Sequence, residues 1–133
     1  MTLHKVWLDD LRDPFLHIAD QNLAAEMIWF KDYDSAFSFI TEHAGSIGEL
    51  HLDNDLGDPQ GREGKHLFNY VEMLVHEGLM PELHFIQIHS SNSSSVDNIM
   101  AAKEIFRDKY GITLIRQGRP PLTQEKSMKK ASP

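Results

Sequence analysis

Acidic side chains follow two of the apolar segments of this chain. Asp9 and Asp10 come directly after the first apolar run. Asp53 and Asp55 follow the third run, at a spacing that points both to the same side of an extended chain. The carboxyl ends of parallel strands share one edge of a sheet, so neighbouring strands would bring these carboxylates together. Such a group repels itself unless a cation joins it. Oxygen ligands suit Mg²⁺ or Mn²⁺, with Ca²⁺ as a further candidate.

The alternative for these acidic residues is structural, because Asp side chains commonly cap helices and form turns after strands. Two acidic strand ends on neighbouring strands favour the metal site over that interpretation.

Residues at the ends of the fourth and fifth apolar runs could handle a phosphate group. An imidazole titrates near neutral pH, so His89 could transfer a proton. The hydroxyl of Ser90 and the amide of Asn92 could bind phosphoryl oxygens. Arg116 and Arg12 offer planar forks of N–H donors at the same edge. The alternatives are that Ser90 and Asn92 cap the next helix, and that the arginines are solvated surface residues.

The elements that would position these residues alternate along the chain. Five apolar runs have the length of strands: His4–Leu8, Met27–Phe30, Leu50–Leu52, Leu83–Ile88 and Ile112–Ile115. Between them lie helix-period segments, one capped by Asp34, one ending near Gly78 and one closed by Gly111. The segment Leu11–Glu26 predicts a short or irregular helix. The alternation indicates an α/β domain with a parallel sheet.

The charge distribution limits the partners. The chain has 133 residues, with 20 acidic and 13 basic side chains and a formal net charge of −7. Residues 1–115 hold 19 acidic and 8 basic side chains, a net charge of −11, whereas residues 116–133 carry +4. Because an acidic body repels polyphosphate, we expect a small phosphate-bearing substrate and no extended duplex nucleic acid.

Other classes of protein are excluded by what the sequence lacks. It has no cysteine, which excludes disulfide scaffolds, thiol nucleophiles and cysteine-ligated metals. It has no apolar run of the ~18 residues that a membrane helix needs, so we expect no membrane partner. No secretion signal is visible. The absence of cysteine favours a cytoplasmic location. The glycine patterns of ATP-binding and NAD-binding loops are absent as well.

The order of these motifs resembles the receiver domain of bacterial response regulators. That family has an acidic pair after strand 1, a phospho-accepting Asp after strand 3 and a Ser or Thr after strand 4. Asp9–Asp10, Asp53 and Ser90 match those positions. The details are more similar to a divergent branch, the cyclic-phosphate processing receiver-like family of bacteria and phages. Three segments carry that similarity: Val6–Pro14, Leu52–Gly57 and His89–Asn92.

The resemblance implies both a fold and a class of substrate. The fold would be a single three-layer α/β domain over residues 1–116, with a five-stranded parallel sheet in the receiver order 2-1-3-4-5. A basic C-terminal tail would cover residues 117–133. The substrate would carry the phosphate end of a nucleotide or of an RNA. Two departures matter: Arg116 stands where signalling receivers have Lys, and the first helix is short or broken. Asp55 is also unusual for a signalling receiver, and this second acid fits a metal-centred reaction better than a switch.

Together these observations predict a metal-dependent phosphate-processing enzyme, a phosphoesterase that uses Mg²⁺ or Mn²⁺. The predicted metal ligands are Asp9, Asp10, Asp53 and Asp55; the predicted catalytic residues are Asp53, His89 and Ser90; the predicted phosphate-binding residues are Ser90, Asn92, Arg116 and Arg12. Asp53 is a candidate nucleophile as well as a ligand, and Asp55 is a candidate for a position just outside the ligand set.

Two non-catalytic functions stay open at this point. The chain could be a stand-alone phospho-acceptor module in signalling, with Asp53 as the acceptor. It could also be a non-enzymatic protein that binds a divalent metal for stability. The sequence does not indicate an oligomeric state.

Overall fold

A five-stranded parallel sheet lies at the centre of the computed structural model, which describes residues 2–90 and 93–117. The strands are β1 His4–Leu8, β2 Met27–Phe30, β3 Ile47–Asp53, β4 Phe85–His89 and β5 Thr113–Gln117. Their order is β2-β1-β3-β4-β5, which confirms the predicted α/β fold and its strand order. The predicted basic tail over residues 117–133 lies, apart from Gln117, outside the described residues.

Helices connect the strands and flank the sheet. They are α1 Pro14–His17, α2 Gln21–Glu26, α3 Tyr33–His43, α4 Gly64–His76, α5 Ser93–Met100 and α6 Lys103–Ile105. A 3₁₀ turn, Ala44–Ser46, follows α3, and a π-helical turn, Phe106–Tyr110, follows α6. Within the described part of the chain, no helix has both the length and the apolar character needed to cross a membrane.

Aspartates cap the N-termini of the three helices between β1 and β3. The irregular helix predicted over Leu11–Glu26 is two short helices, α1 and α2, whose first backbone N–H groups donate to Asp13 and Asp20 respectively. The cap predicted at Asp34 is wrong: Asp32 accepts the N–H of Ser35 at 2.8 Å, and Asp34 lies in the first turn of α3. This frees the Asp34 carboxylate to pair with a side chain outside the helix.

The two faces of the sheet carry different kinds of side chain. On one face, fully buried apolar residues join α3, α4 and α5 in one core: Val6, Leu8, Leu50, Leu52, Ile86 and Ile88. On the other face, the strand residues in between are aromatic or polar: Trp7, Glu49, His51, Gln87 and His89. Because side chains alternate along a strand, Asp53 continues this second face at the carboxyl end of β3. The strand pattern therefore decides on which side of the sheet that carboxylate lies.

The loop between β3 and α4 is fixed to α3 by Arg62. The Arg62 guanidinium donates to both carboxylate oxygens of Asp58, at 3.0 and 2.9 Å, and to both of Asp34, at 2.7 and 3.2 Å. It also lies over the ring of Tyr33, 4.5 Å from the ring centre. The Asp58 carboxylate further accepts the backbone N–H groups of Gln60 and Arg62. These contacts shape the loop that leaves β3.

We expect the Asp58 carboxylate to make this loop sensitive to acid. Its hydrogen bonds with the Arg62 side chain lower the pKa of Asp58 from its usual 3.8 to about 2. A carboxyl with a depressed pKa stabilises the fold above the pKa of the unfolded chain, and that stabilisation is lost as the pH falls toward the folded value. The stability difference between the wild type and Asp58→Asn should therefore be constant near neutral pH and shrink as the pH falls below about 4.

Urea unfolding followed by circular dichroism, repeated across this pH range, measures that difference. Asp97→Asn, which neutralises an exposed carboxylate on α5, is the control for the loss of one negative charge. A wild-type advantage over Asp58→Asn that stays the same from pH 7 to pH 3 would contradict the role given to Asp58.

Candidate functional site

The segment after β1 turns back on itself around Asp9. The Asp9 backbone N–H donates to the carbonyl of Phe30 on β2 at 3.0 Å. Its Oδ1 accepts the backbone N–H groups of Leu11 and Arg12, at 2.9 and 2.8 Å. Asp9 therefore does form a turn after a strand, as the structural alternative for these acidic residues predicts. Asp9 is 2% exposed, so its carboxylate is fixed in a buried position at the sheet edge.

Two tryptophans hold this turn. The indole N–H of Trp29, on β2, donates to the carbonyl of Asp9 at 2.8 Å. The indole N–H of Trp7, on β1, donates to the carbonyl of Arg12 at 2.8 Å. Both tryptophans belong to apolar runs, a pattern typical of core residues. Trp7 is indeed buried, but both rings also fix the backbone that carries the acidic pair.

Asp53 ends β3 directly opposite this turn. Its side chain is fully buried, and its Oδ1 accepts the backbone N–H of Asp55 at 3.2 Å. The next residue, Asn54, donates its N–H to the carbonyl of His89 and accepts the N–H of Gly64, both at 3.0 Å. The carboxyl end of β3 is therefore attached to β4 on one side and to α4 on the other.

Asp9, Asp10 and Asp53 converge as predicted and form what we call the acid cluster. One carboxylate oxygen from each lies within 4.8 Å of the others. Asp9 and Asp53 are buried and Asp10 is half-buried. A Cβ added at Gly57 would lie 3.5 Å from Oδ2 of Asp10, so the β3–α4 loop passes directly beside the cluster.

The acid cluster has the donor set of a site for a hard divalent cation. Mg²⁺ takes oxygen ligands at about 2.1 Å, so two ligands on opposite sides of the ion are about 4.2 Å apart. The upper limit of 4.8 Å on the spacing in the cluster is close to this value. Three carboxylates and no softer ligand favour Mg²⁺, Mn²⁺ or Ca²⁺ over the metals that prefer nitrogen or sulfur. Asp55, the fourth predicted ligand, lies outside this group of three and is exposed.

The carboxyl end of β4 brings two further predicted residues to this edge. His89 pairs with Asp53 in the register of the two strands. Ser90 follows, and its N–H donates to the carbonyl of Gln117 on β5 at 3.2 Å. Both side chains are buried, with 6% and 4% exposure. The His89 ring lies 5.2 Å from that of Trp7 and 6.3 Å from that of His51.

The predicted phosphate-binding residues occupy different environments. Arg12 is buried in the turn after β1, where its backbone N–H donates to the Asp9 carboxylate. Arg116 is exposed on the edge strand β5 and pairs with Ile88, one residue before His89. Asn92 lies outside the described residues. The roles of these three residues in binding phosphate stay predictions.

A contact between a histidine and a glutamate lies further back on the same face of the sheet. The Nε2 atom of His51 lies 3.2 Å from Oε2 of Glu49. That contact is the main cause that lowers the pKa of Glu49 below its usual value. His51 is buried, as its position in a strand predicts.

Sequence reasoning missed the residues that hold the backbone of the site. Trp7 and Trp29 have the strand positions of ordinary core residues, and their acceptors lie in a turn that spacing alone does not reveal. Asn54 lies between Asp53 and Asp55, and the functional interpretation of this motif used only the two carboxylates. Gly64 begins α4 and packs on the Asp53 carbonyl, since a Cβ there would lie 2.4 Å from that oxygen. Two signals were available: an amide side chain between two aspartates, at Asn54, and a glycine at the start of a helix, at Gly64.

Comparison with known proteins agrees with this geometry. The family model of the cyclic-phosphate processing receiver domain matches residues 4–104, a range that covers β1 to β4, the acid cluster, His89 and Ser90. Searches of curated proteins and of solved structures gave no match to the chain. The match spans most of the chain and agrees with the observed strand order. The chain therefore belongs to the cyclic-phosphate processing receiver domain family.

Proposed function

We propose that this protein is a metal-dependent phosphate-processing enzyme that acts on a small phosphorylated or cyclic-phosphate substrate, such as a nucleotide or an RNA end. The observation that carries the proposal is the acid cluster at the same sheet edge as the buried side chains of His89 and Ser90. The description of the family as cyclic-phosphate processing supports the substrate class.

The acid cluster is where this chain would hold Mg²⁺ or Mn²⁺. Asp9, Asp10 and Asp53 would be the ligands, and Asp55, exposed beside Asp53, would act just outside them. Bound there, such an ion would polarise a phosphoryl oxygen and lower the pKa of an attacking water.

The side chains on β4 would supply the remaining chemistry. Hydrolysis of a cyclic phosphate forms one P–O bond to water and breaks one P–O bond to a ribose oxygen, which must gain a proton. His89 would donate that proton, and Ser90 would donate a hydrogen bond to a phosphoryl oxygen. Arg12, Arg116 and Asn92 would bind the other phosphoryl oxygens. Asp53 would act as a ligand or, alternatively, attack phosphorus itself.

The acidic body favours a small substrate over an extended nucleic acid. Residues 1–115 carry a net charge of −11, which repels a polyphosphate backbone. One phosphate group next to a divalent ion escapes most of this repulsion, because the ion offsets charge locally. A nucleotide or a single RNA end therefore fits the site better than a duplex.

We expect Mg²⁺ and Mn²⁺ to stabilise the protein through the acid cluster. A ligand that binds only the folded state, at about 100 times its Kd, adds about 2.7 kcal/mol to the free energy of unfolding. Both tryptophans hold the turn that carries Asp9 and Asp10, so binding should also change the intrinsic fluorescence. Titration of the metal, followed by fluorescence and by thermal unfolding, measures both effects.

Asp10→Asn should abolish the metal-dependent rise in Tm, or weaken binding by at least about tenfold, equivalent to about 1.4 kcal/mol. Asp97→Asn also removes one negative charge but lies outside the cluster, and it should bind the metal as the wild type does. Equal losses in the two variants would indicate a general charge effect and contradict a defined site.

We expect the metal-loaded protein to hydrolyse 2′,3′-cyclic nucleotides. His89→Gln should lower kcat by about 10²–10⁴, the usual contribution of a general acid, while metal affinity stays unchanged. His84→Gln, which alters an exposed histidine just before the other end of β4, is the matched control. Steady-state kinetics with chromatographic detection of the monophosphate product measures the effect.

A metal-bound protein that turns over no cyclic nucleotide or phosphomonoester would overturn the enzymatic proposal. Incubation with acetyl phosphate tests the main alternative, in which the protein accepts a phosphoryl group on Asp53 as a signalling module. In a protein without turnover, a mass gain that is lost in Asp53→Asn would identify a phospho-acceptor module instead.

A further inference from the structure

Asn54 uses all of its polar groups to join three elements at the functional edge. Its backbone N–H donates to the carbonyl of His89 at 3.0 Å, and its carbonyl accepts the N–H of Gly64 at 3.0 Å. Its side-chain Oδ1 accepts the N–H of Lys65 at 2.8 Å, and its Nδ2 donates to Oε1 of Glu63 at 3.3 Å. The residue is 3% exposed. It therefore fixes the end of β3 to β4 and to the first turn of α4.

The start of α4 is packed tightly on the same peptide. A Cβ added at Gly64 would lie 2.4 Å from the Asp53 carbonyl oxygen and 2.9 Å from the Cα of Asn54. Backbone atoms cannot move aside as a flexible side chain can. Only a glycine allows this approach, so the helix start and the Asp53–Asn54 peptide are positioned as one unit.

We propose that Asn54 is a positioning residue for Asp53, so that the metal affinity of the acid cluster depends on its side-chain bonds to Glu63 and Lys65. This inference rests on the proposed function, since it requires that the cluster binds a divalent ion. Carboxylates held within 4.8 Å repel one another, and a loosely attached β3 end would let Asp53 move away. A site prepared at the correct spacing binds its ion without first bringing the ligands together.

Asn54→Ala removes both side-chain bonds and should raise the Kd for Mn²⁺ about 10–100-fold, the usual cost of losing a partner that orients a metal ligand. Val71→Ala is the control for stability, because Val71 is buried in the core side of α4 and is not among the residues bonded to Asn54. That variant should lower Tm but bind Mn²⁺ as the wild type does. Titration of Mn²⁺ alone, followed by tryptophan fluorescence well below the Tm of each variant, gives the Kd.

A matched pair at Glu63 tests the same connection with Asn54 intact. Glu63→Ala and Glu63→Gln remove the same charge, but only glutamine keeps an oxygen that can accept the Asn54 Nδ2–H. We expect Glu63→Ala to bind Mn²⁺ several-fold more weakly than Glu63→Gln. This pair also decides the question if Asn54→Ala does not fold, because Glu63 is half-buried at the surface.

Unchanged Mn²⁺ affinity in Asn54→Ala, or equal affinities in the two Glu63 variants, would overturn the positioning role and leave the proposed function intact. A wild-type protein that binds no Mn²⁺ would overturn both. The same affinity loss in Val71→Ala as in Asn54→Ala would show that the effect comes from stability alone and would also overturn the inference.

Discussion

Electrostatic repulsion within the acid cluster is the constraint on which the rest of this structure depends. Two unit negative charges about 4 Å apart repel by about 4 kcal/mol at the effective dielectric constant of a protein surface. The cluster places three carboxylates within 4.8 Å of one another, two of them buried. The turn after β1 and the end of β3 would separate if nothing held them. A polypeptide that keeps them together must fix both segments by other contacts.

The contacts described above fix the backbone of both segments. Indole N–H groups hold the carbonyls of Asp9 and Arg12, and the amides of Asn54 and its neighbours hold the end of β3. The ion pair between Arg62 and Asp58 acts on the loop that follows β3. These bonds keep the three carboxylates of the cluster close together at one edge of the sheet.

The sequence predicts the fold and the convergence of the acidic residues well, because both depend on regular patterns. Apolar runs define five strands, and acids at the ends of neighbouring strands must meet at one edge. The cap of α3 is different, because Asp32 and Asp34 are equally good capping residues two positions apart. The structure selects Asp32, while Asp34 pairs with Arg62, a residue whose position depends on tertiary structure.

The same limit applies to the tryptophans and to Asn54. Their partners lie in segments that are close only after folding, so no local spacing identifies them. The sequence places Asp55 and Arg116 near strand ends. It does not define where their exposed side chains point when substrate is bound. Position along a strand is thus predictable, whereas the choice of hydrogen-bond partner is a property of the whole fold.

The strand register connects the core to the chemistry. Leu52 lies in the core and Asp53 lies in the acid cluster because side chains alternate along β3. The paired strand β4 repeats this arrangement with Ile88 in the core and His89 at the functional edge. A slip of one residue in either strand would place a charged or polar side chain in the core and an apolar one at the site. Burial of the apolar face therefore also specifies the side of the sheet from which Asp53 and His89 reach the edge.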